Sequence, residues 1–177
     1  MAGAGSGCSN PTMLERHGAI GRQGAPGNQI SRSFMVEFGP YERVYVEDEW
    51  YDGPRGLADI HGVPHRFQAL FDETKDEYSL IFAVWPVRRE ALELEIEQWR
   101  IFVDWNARYE SGEAGTDSHP AHGGIDQRWD EIETLVKDGR TGVPLDARQA
   151  EARFKYSDRR RRYELSGPDY SMSWKFL

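Results

Sequence analysis

From Val44 to Trp85, apolar and polar residues alternate in short runs broken by turn-forming residues. Val44, Val46 and Trp50 fall on one face of an extended strand. Tyr45, Glu47, Glu49 and Tyr51 fall on the other, with the period of two that a strand imposes. Asp52-Gly53-Pro54 marks a turn, Leu57 to His61 a short strand, and Gly62-Val63-Pro64 a second turn whose proline keeps its neighbour extended. Phe67, Ala69 and Phe71 then share an apolar face, with Arg66 and Gln68 opposite. After a polar connection from Asp72 to Glu77, Leu80 to Trp85 is apolar on both faces. That predicts a strand covered on both sides and ended by Pro86.

The period then changes. From Arg88 to Tyr109, Leu92, Ile96, Trp99, Val103 and Ala107 recur at helical spacing, and Leu94, Ile101 and Trp105 make a second stripe. Leu92 to Ile96 also alternates strictly, but Glu, Leu and Ala favour helix and Trp99 continues the longer period. A helix apolar over this much of its circumference is either deeply packed or half of a homodimer interface. Ser111 to Gly124 reads as a loop. Ile125 to Lys137 reads as a shorter helix with Ile125, Trp129, Ile132 and Val136 on one face, Leu135 adjacent and Gly139 as C-terminal cap. Strands return with Ala152, Phe154 and Tyr156, then Tyr163 and Leu165, a turn at Ser166 to Asp169, and a last strand with Tyr170, Met172, Trp174 and Phe176 on one face.

These elements predict an α+β fold. An antiparallel sheet of about five to seven strands joins the N-terminal meander to the C-terminal strands and packs against one long and one shorter helix. Residues 1–33 stand apart: rich in Gly, Ala and Ser with few apolar positions, they are expected to be disordered or an upstream extension, since Met13 and Met35 both offer start sites. The expected domain is 34–177.

Composition narrows the function classes. The net charge of −8 disfavours broad binding to nucleic acid or anionic membrane. One cysteine, Cys8, permits no internal disulfide and points to a reducing, cytoplasmic setting. No apolar run approaches the roughly 20 residues that span a bilayer, and the N-terminus lacks a secretory apolar stretch.

Candidate chemistry is sparse. His61 and His65 bracket the proposed second turn, with Asp59 nearby. Imidazoles and a carboxylate suit zinc or iron, and a polar hairpin end is the alternative. His119 and His122 could share an ion or simply lie in a solvated loop. Asp48, Glu49, Asp52 and Asp59 could pair as acid and base, with Trp50 and Tyr51 as a stacking platform, or they could guard a sheet edge. Arg159, Arg160, Arg161 and Arg162, flanked by Tyr156 and Tyr163, concentrate positive charge that could clamp a phosphate or read an acidic partner. Phosphate-loop, dinucleotide-loop, nucleophile-elbow and zinc-helix signatures are all missing, and no cofactor is implied.

The sequence therefore carries no reaction signature. It leads to the expectation of a small interaction module with a protein partner, or a homodimer through the 88–109 helix. The competing expectation is an enzyme or small-ligand binder with a His and carboxylate pocket between sheet and long helix. A third is phosphate or nucleic-acid binding at the arginine loop.

Overall fold

The strongest alternation in the chain, Tyr170–Phe176, forms the last strand of a closed antiparallel barrel in the computed structural model, which describes residues 37–49 and 53–177. The barrel contains β1 (Glu42–Glu49), β2 (Arg55–Ile60), β3 (Val63–Asp72), β4 (Glu77–Pro86), β5 (Arg148–Tyr156) and β8 (Tyr170–Phe176). Helices α1 (Arg89–Glu110) and α2 (Gln127–Arg140) lie between β4 and β5 in the chain, and β6 (Tyr163–Glu164) and β7 (Gly167–Pro168) pair as a separate ribbon. The fold is α+β as expected, and its sheet closes on itself. Two long-range pairings make the closure. β4 meets β5 across the helical excursion, from Ile81↔Glu151 to Val84↔Arg148, and β1 meets β8 at Glu42↔Met172 and Arg43↔Ser171. Closure removes the exposed edges that an open sheet of these strands would present.

The barrel interior is filled by its own side chains. Phe67, Phe82 and Trp174 meet there with ring centroids 5.8 Å apart for each pair. Ala58, Ala69, Ala150 and Ala152 make room for these rings, and Ile60, Val84 and Met172 complete the packing. The Trp174 indole donates to the Asp59 carbonyl at 3.1 Å, so the largest buried ring leaves no unpaired donor.

A bulge in β1 reassigns one predicted core position. Val44 pairs with Ala58, but Val46 pairs with Leu57, so one extra residue enters β1 between them. Val44 stays in the barrel interior, whereas Val46 joins Leu57, Trp99 and Val103 in a second apolar cluster between barrel and α1. The single face drawn through Val44 and Val46 is thereby split. The bulge also requires Gly56, where a Cβ would collide with the Val46 carbonyl.

The turns and caps shift too. His61 and Gly62, both at positive φ, form the two-residue turn between β2 and β3, and the chain is already extended at Val63 and Pro64. Glu42 accepts from both turn amides, at 2.8 and 2.7 Å. In the β6–β7 ribbon Glu164 pairs with Gly167, which places the turn at Leu165 and Ser166 rather than at the expected Ser166 to Asp169. Gly139 lies inside α2 instead of capping it, and Gly142 takes the positive φ beyond its end. Ile125 precedes α2 and is exposed, as is Leu135, so α2 buries Ile132 and Val136 alone. Leu80, expected to be covered, is 58% exposed. α1 is one continuous helix through the ambiguous Leu92–Ile96 stretch. Among the described residues no helix is long and apolar enough to cross a membrane. The expectation for residues 1–33 lies outside the described residues.

A candidate binding cleft on the outer wall of the barrel

Strand alternation sends Phe67 into the barrel and its neighbour Arg66 out through the wall, yet Arg66 is only 4% exposed. It emerges beneath α1, where it meets Glu95; Gln98 follows one turn along the helix, and both are 2% exposed. Glu95 falls one turn from both Leu92 and Trp99, inside the helix's apolar stripe, which is why a charged side chain is buried there. Arg66 Nη1 donates to Asp48 Oδ2 at 2.5 Å, and its Nη2 is bonded to Glu95 Oε2. From the end of α2, Arg140 reaches Glu133 at 2.7 Å, the Gln98 carbonyl oxygen at 2.6 Å and Glu95 at 3.3 Å. Gln98 donates to Glu133 at 3.1 Å and closes the network.

The electrostatics follow from burial. Burial works against the Arg66 charge, but Asp48 and Glu95 outweigh it and hold its pKa above the usual arginine value. Burial is the largest influence on Glu95 and pushes its carboxyl up, against the pull of Arg66 and with a push from Asp48.

This charged cluster forms one wall of a cleft of about 590 Å³ between barrel and helices. The facing surfaces are aromatic: Trp99, Phe102, Trp129, Tyr163 and His119. Tyr163 stands edge-on to Trp99 and Phe102, at 5.6 and 5.1 Å between centroids. The Trp99 indole donates to the Glu164 carbonyl at 2.8 Å, which fixes its ring against the ribbon.

His119 is placed by the loop between the helices. Its ring lies edge-on to Trp105 at 4.2 Å, and its Nδ1 accepts the Ala121 amide at 3.1 Å. Burial, aided by His122, holds its pKa below 6.5, so the ring is neutral near pH 7. A neutral ring that accepts at Nδ1 carries its proton on Nε2. The loop expected to be solvated thus lays a histidine against the aromatic wall.

A second carboxylate lies at the far end of the cleft. Glu47, on β1 opposite Gly56 of β2, has a side chain only 4% exposed and contributes to the cleft wall. Its Oε1 accepts from Arg162 at 2.9 Å and from the Tyr163 hydroxyl at 3.4 Å. Its Oε2 is buried, and the Tyr170 hydroxyl is a hydrogen-bonding neighbour of the carboxylate. The Tyr170 hydroxyl is close enough to favour the charge, but burial dominates and pushes the Glu47 carboxyl up.

The residues singled out from sequence lie elsewhere for the most part. Asp59 accepts from the Tyr45 hydroxyl through both oxygens, at 3.0 and 2.9 Å. His65 pairs across the hairpin with Ala58, which puts it on the opposite face from Asp59, and its Nδ1–H donates to the Val63 carbonyl at 2.8 Å. His61 sits in the turn with its ring 5.9 Å from Phe176. Among the described residues no three His, Cys, Asp or Glu side chains are grouped to hold a metal ion. Trp50, Tyr51 and Asp52 lie outside the described residues. The four arginines have different surroundings. Arg159 pairs with Glu164 at 3.4 Å, Arg162 pairs with Glu47, and Arg160 and Arg161 line a shallow depression with Glu110 and Ser111. Sequence reasoning missed Arg66, Glu95, Gln98 and Arg140 as a group, although the polar positions at 95 and 98 within α1's apolar stripe were a readable signal.

No protein-family model matches the chain, and comparison with curated proteins and with solved structures returns no significant match for either.

Proposed function

We propose that this protein binds a small organic molecule in the cleft between the barrel wall and the two helices. The observation that carries this reading is the buried Arg66–Glu95–Gln98 cluster facing an aromatic-lined cavity. Buried ion pairs rarely add stability, because desolvation offsets their attraction, so a network of this kind bordering a cavity is better explained by a ligand than by the fold. A volume of about 590 Å³ suits a small molecule. The pocket expected from sequence uses His61, His65 and nearby carboxylates; the cleft proposed here is lined instead by His119, Glu47, Asp48, Glu95 and Glu133. No reaction is assigned.

The test uses the indole N–H resonances of the full chain against a library of small aromatic fragments. Trp99 and Trp129 line the cleft, while Trp174 lies in the barrel and serves as internal control. Binders that move the first pair and leave Trp174 in place support the reading. A library that moves none of them, or only signals outside the cleft, overturns it.

A protein partner is favoured by a different observation. Phe71, Tyr78 and Leu80, respectively 49%, 43% and 58% exposed, form an apolar ridge on the β3–β4 hairpin. We propose it as the docking surface of a protein partner, in preference to self-association through α1, whose Leu94 and Ile101 are already half-buried. Pull-down from source extract with wild type and Leu80→Ser tests it: a partner retained equally by both would remove the ridge from consideration.

A further inference from the structure

The fold disperses the arginine run of residues 159–162 and gathers a different cationic group around Arg159. Arg43 on β1 and Lys155 on β5 both pair in register with Ser171 of β8, so the three form one row across adjacent strands. Met172 packs inside the barrel, which puts this row on the outer face. Strands lie about 5 Å apart, so Arg43 and Lys155 stand roughly 10 Å apart across a side chain as small as serine. Both are long and exposed, and together they can close over that gap. Arg159 arrives from the loop after β5, and Ser166 holds it beside Arg43. The Ser166 hydroxyl accepts from Arg159 at 3.2 Å, and the Ser166 carbonyl accepts from Arg43 Nε and Nη2 at 3.1 and 2.9 Å. The three cations border a recess of about 270 Å³ that Ser157, Ser166 and Ser171 also line.

The chain holds 30 acidic residues against 22 Lys and Arg, yet the recess has the opposite balance. Among the described residues neither Arg43 nor Lys155 forms an ion pair. Arg43 turns Nε and Nη2 to a neutral carbonyl, and Lys155 Nζ lies 5.6 Å from the Tyr41 ring centre. Arg159 meets Glu164 at 3.4 Å, an exposed pair that solvent screens. Asp169 is the one carboxylate lining the recess among the described residues, and its charge acts also on Arg162. Like charges gathered without partners repel one another, which leaves the recess complementary to an anion.

We infer that this recess binds a phosphate monoester. It shares no lining residue with the cleft, so its occupancy does not depend on the cleft reading. Near pH 7 a monoester carries roughly two negative charges and offers three strong acceptor oxygens, enough to take Arg43, Arg159 and the Lys155 ammonium together. A diester has a single charge, and a nucleic-acid strand is held by cations spaced along a groove, whereas these three converge on one recess.

The experiment titrates the full chain with methyl phosphate and dimethyl phosphate, following the Nε–H signals of Arg43 and Arg159 and the indole signals of Trp99 and Trp129. Methyl phosphate should shift the arginine pair, leave the tryptophans in place, and bind at least tenfold more tightly than the diester. Its affinity should fall below about pH 6, where the dianion gains a proton. Lys155→Met should weaken binding at least fivefold with an unchanged melting temperature, because its ammonium is exposed and unpaired among the described residues. Lys137→Met, which removes the same charge from exposed α2 surface, should leave binding as it was. Absence of any shift, equal binding of the two esters, equal effects of the two lysine variants, or a shift confined to the cleft tryptophans overturns the inference. A thymidine oligonucleotide that binds more tightly than methyl phosphate also overturns it, in favour of a strand-binding surface. A phosphoserine hexapeptide separates two sources of the monoester, and both of its outcomes uphold the site. Binding no tighter than methyl phosphate assigns the recess to small phosphate esters, and binding tenfold tighter assigns it to a phosphorylated protein segment.

Discussion

Phe67 and Arg66 are neighbours on one strand, and they open onto two different interiors. On the Phe67 side lies a dry core of aromatic rings and alanines with the Trp174 donor paired to a carbonyl. On the Arg66 side lies an equally buried space built from guanidinium, carboxylate and amide groups beside an open cleft. The first interior fits the requirements of stability, because apolar burial and close packing are what folding gains most from. The second fits them poorly. Its charges lose their hydration, and the same volume filled with apolar side chains would hold the fold at least as well. The difference teaches where to look for function in a chain without motifs: the barrel is the support, and the proposed binding cleft lies on its outer wall.

Stability measurements can break that comparison. Trp174→Ala should have the largest effect, a loss of about 3–5 kcal/mol by urea denaturation, because it opens a cavity between Phe67 and Phe82. A loss below about 1 kcal/mol would mean the barrel interior is not the main support. Arg66→Ala comes next, at about 3 kcal/mol, because it removes the shortest partner of both Asp48 and Glu95 and leaves them only the longer contacts to Arg140. Replacing the network with apolar groups sharpens the point: a combined Arg66→Met, Glu95→Leu, Asp48→Ala variant should regain most of that loss and lose ligand binding. If it is as unstable as Arg66→Ala, the charges support the fold after all.

A smaller effect is expected from pH. Burial holds the Glu47 carboxyl above its unfolded value of 4.5, so the folded chain binds this proton more tightly than the unfolded chain. Its contribution to stability is full below that unfolded value and is lost as pH rises through the raised folded value. Melting curves should therefore show Glu47→Gln gaining on the wild type as pH rises from about 4 to 7, with the two close together at the acid end. A variant that falls behind the wild type with rising pH would reverse the assignment. Smallest of all is Arg128→Ala. Arg128 grips Glu97 through two bonds of 2.7 and 2.8 Å between α2 and α1, but the pair is exposed and screened by solvent. The melting temperature should stay within experimental scatter, and a clear drop would show that the helix pair depends on its surface charges.

Much of the architecture could be read from periodicity. Tyr170, Met172, Trp174 and Phe176 alternate so regularly that a strand was the only reading, and the Trp99–Val103 spacing carried α1 through its ambiguous first turns. Local signals failed where backbone geometry departs from an ideal period. The β1 bulge sends Val46 to the helix side, and nothing in Val44-Tyr45-Val46 announces it except Gly56, whose role appears only once β1 lies against it. The hairpin turn sits at His61-Gly62 because a two-residue loop with positive φ matches the strand twist, and proline at 64 drew attention one step too far along the chain. The site was less legible than the fold. Arg66, Glu95 and Arg140 are each ordinary charged residues in sequence, 29 and 45 positions separating the bonded pairs.

By itself the sequence determined which segments are strands, which are helices, and that the sheet is antiparallel, because these follow from side-chain period and turn chemistry within a few residues. Tertiary structure alone decided that the sheet closes, that α1 and α2 lie on the wall outside β1 to β3, and that a buried carboxylate faces an aromatic cleft. Those outcomes depend on pairings such as Glu42↔Met172, between residues far apart along the chain. The gain from such a pairing arises only after the loop between its ends has closed, so no local pattern encodes it.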